Sequence, residues 1–240
     1  MAYLDIDNGT LVANASESER AGFIRRTYLH LAGAIVAFAL LESLLVMSGV
    51  AKSFTQMLSA TGAWSWLVIM VLFMGASYFA DKWAHSGISR EMQYAGLGLF
   101  VVAEAVVFMP IIYKALAFTQ ATGNNVLLSA GLMTVLLAGG ITFTAFTTRK
   151  DFSFLRPFIT IGFFVALGLI VASILFGFSL GLVFFGAMVL LSGAVMLYQT
   201  SQIIHEYHTD QHVGASLGLF SSVGMMFWYI VQFLMSLSGE

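Results

Sequence analysis

Cysteine is absent from the 240 residues, proline occurs twice, and charged side chains make up only 9% of the chain. Each shortage closes off a class of protein. Without cysteine there is no disulfide-stapled secreted scaffold and no thiolate metal centre. Ten basic against twelve acidic residues, a net charge of -2 and no basic block leave no electrostatic footprint for nucleic acid. A soluble domain carries roughly a quarter of its residues charged, so this chain cannot clothe a water-facing exterior or house a large soluble catalytic domain. What it has instead is apolar surface: 59% of the residues are hydrophobic and the mean hydropathy is +0.91. That composition also excludes a disordered chain. The solvent for most of this protein is lipid.

Crossing a bilayer as a helix takes about 20 mostly apolar residues, and seven stretches meet that length. They predict spans at Thr27–Val50, Gly62–Ala80, Met92–Phe118, Val126–Phe146, Phe158–Phe176, Leu180–Ile204 and Val213–Leu237. The runs are continuously apolar, whereas barrel strands alternate over about 10 residues, so the expected fold is an all-α, seven-helix polytopic membrane bundle. The expected organisation is a polar to amphipathic N-terminal tail over residues 1–26, a transmembrane domain over 27–237 and a short C-terminal end at 238–240. The first twenty residues hold four acids, one base and no apolar core, so no cleaved leader is evident. At Phe176-Gly177-Phe178-Ser179 the link between the fifth and sixth spans is apolar and uncharged, and fits a re-entrant turn as well as an aqueous loop.

Short loops rich in Lys and Arg stay in the cytoplasm. The tail and the even-numbered loops hold Arg20, Arg25, Arg26, Lys82, Arg90, Arg149, Lys150 and Arg156, against Lys52 and Lys114 on the other side. This asymmetry predicts a cytoplasmic N-terminus and, after an odd number of spans, a C-terminus outside. Connections are short, so any machinery lies within the bundle or at its mouths.

Lipid gives helices no hydrophobic reason to associate, and close approach through small side chains takes over. Ala130, Thr134, Ala138 and Thr142 form such a row in the fourth span, and Gly214, Gly218 and Ser222 form another in the seventh. Both rows suit a central position. Ionisable groups inside spans are the candidate working groups, because a charge at midplane costs at least a few kcal/mol. Glu104 lies near the middle of the third span, with Gln93 eleven residues earlier on nearly the same face. It reads either as a carboxyl that handles an ion or proton, or as a neutral hydrogen-bonded packing group. Glu42 in the first span either works within the membrane or snorkels to the outer headgroups. His30, on a different face of that span, sits one turn inside the membrane edge, where a satisfied histidine is the plainer reading. The sixth span carries Ser192, Gln199 and Glu206 at seven-residue steps with Gln202 on the flank, and the seventh carries Ser222, Tyr229 and Ser236. If the two stripes face each other, they outline a path with neutral walls.

Two enzyme motifs nearly fit. His205, His208 and His212 would share a helical face if the helix continued, but the metalloprotease pattern fails because Thr209 stands four residues after His205. Gly214-Ala215-Ser216-Leu217-Gly218 matches the nucleophile-elbow text without the strand-to-helix turn that motif needs. An intramembrane serine dyad remains a minor alternative. No catalytic residue, metal site or cofactor is expected.

The segment Thr147-Thr148-Arg149-Lys150-Asp151-Phe152-Ser153-Phe154-Leu155 resembles the T-x-(R/K)-K-D-F-S-x-L segment of the Bax inhibitor-1 family. Leu197-Tyr198-Gln199-Thr200-Ser201-Gln202-Ile203-Ile204 resembles that family's sixth-span segment, and Ala215-Ser216-Leu217-Gly218-Leu219-Phe220 is similar to the start of its last span. The resemblance implies a seven-helix membrane fold with the last helix central. It also implies an association with calcium or cation leak and, in eukaryotes, with suppression of cell death. In the family's calcium-leak members an aspartate pair in the sixth and seventh spans closes the pore in a pH-sensitive way. Gln199 and Ser222 fall at those places here, and neither is acidic. The Tyr198-Gln199-Thr200-Ser201 run looks more like the bacterial YccA branch, implicated in restraining a membrane-bound AAA protease.

Two functions follow as expectations for a non-enzymatic protein of the bacterial inner membrane. One is a low-conductance cation (calcium) or proton leak, with Glu104, Gln199, Gln202, Ser222 and Glu42 as ion-path candidates. The other is a non-catalytic regulator that binds a membrane AAA protease or translocase. The expected partners are the lipid bilayer, calcium or protons, and that protease, and no nucleic acid.

Overall fold

The computed structural model describes residues 10–87 and 89–239, and the fold among them is helical. Eight helices follow in order: α1 (Glu17–Met47), α2 (Val50–Thr61), α3 (Ala63–Ala84), α4 (Arg90–Thr122), α5 (Val126–Thr148), α6 (Leu155–Phe176), α7 (Leu182–His205) and α8 (His212–Gly239). Seven are long and apolar enough to cross a membrane, all except α2, and each overlies one of the seven predicted segments. Among the described residues there is no strand, only one isolated antiparallel bridge between Leu11 and His208. Residues 1–9 of the expected tail, and Glu240 of the expected C-terminal end, lie outside the described residues.

The first helix starts ten residues before the predicted span because Ser16 and Glu19 form a capping box. The serine hydroxyl accepts from the Glu19 N–H and the glutamate reaches back to the Ser16 N–H, satisfying two orphan donors of the first turn. The next helix was not predicted. Gly49, at φ +79°, lets the chain turn out of α1 in a left-handed conformation, and α2 then buries Ala51, Thr55 and Leu58 on one face while Met57 stays exposed. Between α6 and α7, five residues suffice for the reversal, with Gly177 at φ +71° ending α6. The helices on either side run 22 and 24 residues, so the link is a tight turn between two elements of spanning length.

The described residues form two compact units. One contains the chain up to Met109 together with Ile203–Phe220, and the other contains Pro110–Gln202 with the chain from Ser221 onward. Large apolar side chains such as Val183, Leu190, Phe176 and Leu136 stand exposed, as lipid-facing residues must. Burial does not single out the last helix: 61% of an 18-residue apolar stretch of α4 is buried against 39% in α8 and 17% in α5. The third span is therefore the most enclosed, and a central place for the fourth does not follow from its small-residue row. That row nevertheless faces inward, with Ala130 and Thr134 buried and Ala138 and Thr142 half-buried. In the first unit α4 crosses α3 at very short range. A Cβ on Gly96 would lie 2.6 Å from the Ala80 carbonyl oxygen and from the Ala84 amide nitrogen.

Candidate functional site

Glu104 sits about midway along α4 with 4% of its surface exposed, and its Oε2 is buried without a hydrogen-bond partner among the described residues. Its surroundings follow from helical spacing. Phe100 and Phe108 lie four residues before and after it, on the same face. Phe100 meets Phe220 of α8 edge to face with ring centroids 6.0 Å apart. Phe220 meets Phe38 of α1 at 6.0 Å, and Phe38 meets Phe108 at 5.2 Å. Four phenyl rings from three helices thus link up around the face that carries one carboxyl group. No ion pair reaches Glu104 among the described residues.

Glu42 lies one turn beyond Phe38 on α1, in the same unit. It is 4% exposed, and both its carboxyl oxygens are buried and unpartnered among the described residues. Of the two sequence expectations for Glu42, snorkelling to the headgroups is therefore not what the side chain does. Gln93, expected to extend a polar stripe toward Glu104, is used at the helix mouth instead: its Nε2 donates to the Ser86 carbonyl at 2.9 Å and its Oε1 accepts from Arg90 at 3.1 Å.

In the second unit the sixth and seventh spans bring Gln199 and Ser222 together. Ser222 Oγ donates to Gln199 Oε1 at 2.6 Å. The two polar stripes therefore meet at this level. Phe184 and Tyr229 make a ring contact between the same two helices at 6.3 Å. Ser192 is buried and donates to the Val189 carbonyl of its own helix, and Gln202 is half-buried on the flank of the stripe. The segment resembling D-F-S-x-L is fixed to the end of α7, where Ser201 Oγ accepts from the Phe152 N–H at 2.9 Å and Asp151 caps the Ser153 N–H at 2.8 Å.

One end of the first unit is tied by backbone carbonyls. Val12 N–H donates to Tyr207 O at 2.9 Å and Thr209 N–H to Thr10 O at 3.0 Å, so the tail lies as a strap across the loop between α7 and α8. Arg20 fastens the strap through the carbonyls of Val12, Ala13 and Ala15. Arg26 and Arg90 donate to the Thr209 and Asp210 carbonyls of the same loop. The tail, the loop after the second span and the loop after the sixth thus share one side, as an alternating passage of seven spans requires. Beside them Asp81, His85 and Tyr207 form a chain, with His85 Nδ1 3.2 Å from Asp81 Oδ1 and His85 Nε2 3.4 Å from the Tyr207 hydroxyl. The hydrogen bond that His85 donates to Asp81 raises the pKa of His85 above the ordinary 6.5. None of these fastenings was read from the sequence, although the Ser16-x-x-Glu19 signature could have placed the start of α1.

The near-miss motifs resolve by position. The helix ends at His205, so His205, His208 and His212 share no helical face, and no group of three metal-ligating side chains assembles among the described residues. Ser216 is fully buried inside α8 and donates to the Val213 carbonyl. His30 Nδ1 bonds the Arg26 carbonyl at 2.7 Å, the satisfied histidine expected at a membrane edge.

Seven helices of spanning length and apolar composition define a polytopic membrane protein. Residues 20–239 match the family described as Inhibitor of apoptosis-promoting Bax1, and the chain belongs to this Bax inhibitor-1 family. It is 31% identical over 229 residues to an uncharacterised protein of Pseudomonas aeruginosa, covering 95% of each chain. It is also 27% identical to an uncharacterised protein of Neisseria meningitidis serogroup A, over 72% of this chain and 74% of that one.

Proposed function

We propose that this protein is a low-conductance leak for a cation, calcium or the proton, in the bacterial inner membrane, with its N-terminus in the cytoplasm and its C-terminus outside. One observation carries the reading: Glu104 is buried within a span, on the α4 face that also carries Phe100 and Phe108, with a carboxyl oxygen that no described group occupies. An intramembrane acid is costly enough that its retention marks an ion or proton pathway by default. Glu42 is the second acid available to such a path in the same unit. Gln199, Gln202 and Ser222 are the further candidates, neutral oxygen ligands in the other unit. The protein works without covalent chemistry and without a resident cofactor.

A second reading has one observation in its favour. The Gln199–Ser222 contact is a neutral hydrogen bond at the place where the family's leak members carry a titrating pair, which suits a YccA-like regulator that binds a membrane AAA protease or translocase. Purified protein in liposomes separates the two. Calcium or proton flux above that of empty vesicles supports the leak; flux equal to empty vesicles, with a protease recovered on co-purification from the native membrane, supports the regulator. A reporter fused after Glu240 that is active only outside the cytoplasm supports the orientation.

A further inference from the structure

The first and third spans leave a groove between them, about 530 Å³ in volume, whose two ends differ in chemistry. Ala34, Leu97 and Val101 form a buried apolar floor. Gly33 and Gly98 keep the groove open, for a Cβ at either position meets nothing within 4 Å. It runs from Leu29 to Leu41 along α1, a rise of ~18 Å, which is close to the ~15 Å depth of one leaflet's hydrocarbon. The volume lies within the ~300–1,000 Å³ range of sites that hold small apolar ligands.

At the end nearest the helix starts, the stacked rings of His30 and Tyr94 close the groove, with centroids 5.5 Å apart and planes 9° from parallel. Arg26 precedes His30 by four residues, and Arg90 precedes Tyr94 by four. Each arginine therefore stands one turn outside the stacked pair, on the same face as its ring. The neighbouring His212, whose ring lies 5.0 Å from His30, has its own Nδ1 buried without a partner among the described residues. Neither Arg26 nor Arg90 forms an ion pair among the described residues. They donate to the carbonyls of Thr209 and Asp210, and Arg90 also to Gln93, which leaves most of the ten N–H groups of the two forks unused. Two guanidinium groups thus stand at one end of an acyl-length trough, and neither is held in an ion pair by a carboxylate among the described residues.

We propose that this groove is a binding site for one anionic phospholipid from the leaflet on the N-terminal side, its acyl chain lying between α1 and α4 and its phosphate held by Arg26 and Arg90. Charge complementarity selects the headgroup, and the trough length selects a chain from a single leaflet. Basic pockets between transmembrane helices recognise anionic headgroups by this combination.

The test uses the full chain in detergent micelles with added phosphatidylglycerol or phosphatidylcholine of identical acyl chains, read by native mass spectrometry. The wild type is expected to hold one phosphatidylglycerol in clear preference to phosphatidylcholine. Arg26→Gln with Arg90→Gln should weaken phosphatidylglycerol about thirtyfold, each basic group near the surface being worth about fivefold, and leave phosphatidylcholine unchanged. Gly33→Leu with Gly98→Leu should fill the trough and expel both lipids while the helical content stays that of the wild type. If that pair does not fold, Ala37→Leu occludes the same wall with one exposed substitution. Equal retention of the two lipids by the wild type would overturn the proposal. So would undiminished phosphatidylglycerol in a folded groove-filling variant, or its complete displacement by inorganic phosphate, which would leave only a site for a free anion.

Discussion

Ser222 Oγ and Gln199 Oε1 are 2.6 Å apart, joining α8 to α7 through two side chains that do not ionise in the physiological range. The resemblance to calcium-leak relatives implies an acidic pair at these positions, and here a glutamine and a serine meet instead. A contact that cannot gain or lose a proton holds its strength as pH changes.

The consequence is measurable by exchanging the chemistry. In liposomes, the wild-type flux should vary little with pH through this contact, whereas Gln199→Asp combined with Ser222→Asp should make flux pH-sensitive between about pH 5 and 8, as two carboxylates share a site and titrate as a pair. A double variant whose flux follows the wild-type profile would show that the contact gates nothing.

Gly96 and Gly98 lie two residues apart on α4 and should respond oppositely to alanine. A Cβ on Gly96 would meet backbone atoms of Ala80 and Ala84 at 2.6 Å, and backbone cannot step aside as a flexible side chain can. Gly96→Ala is expected to cost about 1–3 kcal/mol as α3 and α4 are forced apart. Gly98→Ala, with open space at its Cβ, should be neutral or slightly stabilising. Reversible unfolding in mixed micelles compares the two, and equal losses would contradict the close crossing.

Arg20 is the fastening of the strap. Arg20→Ala removes donors to three carbonyls and should loosen the tail by about 1–3 kcal/mol. Arg20→Lys should restore little, because a compact ammonium cannot reproduce the guanidinium fork. Amide exchange at Val12 and Thr209 reads this locally, since both N–H groups bridge tail and loop. Unchanged protection in Arg20→Ala would mean the strap holds by other contacts.

The seven spans were legible because continuous apolar length is a strong signal and the bilayer fixes how much is needed. Glu104 was legible for the same reason: one acid in an apolar run stands out. Its phenyl surroundings were not, because Phe38 and Phe220 lie on other helices and no spacing within α4 points to them. The strap escaped because its bonds use the backbone of Val12 and Thr209, which any residue supplies, and α2 escaped because Val50–Thr61 is too short and too polar to read as a span.

His85 supplies a pH dependence of stability with a defined sign. Its folded pKa is raised above the unfolded 6.5 by the hydrogen bond to Asp81, so the pair stabilises the fold fully below about pH 6.5 and loses that contribution as pH rises through the folded value. Both partners are partly open to solvent, at 31% and 64% side-chain exposure, so the contribution is expected to stay below about 1 kcal/mol. Thermal unfolding at pH 6 and pH 8 should show a difference that Asp81→Asn reduces. A variant with the wild-type difference would place its origin elsewhere.

The central claim concerns the carboxyl group of Glu104, and flux through proteoliposomes carrying wild type, Glu104→Gln or Glu104→Asp tests it most directly. Glutamine keeps the size of the side chain and removes its ability to ionise, while aspartate keeps the acid. The account predicts flux in the wild type, partial flux with aspartate, and the level of empty vesicles with glutamine in a protein that still folds. Wild-type flux from the glutamine variant would contradict it.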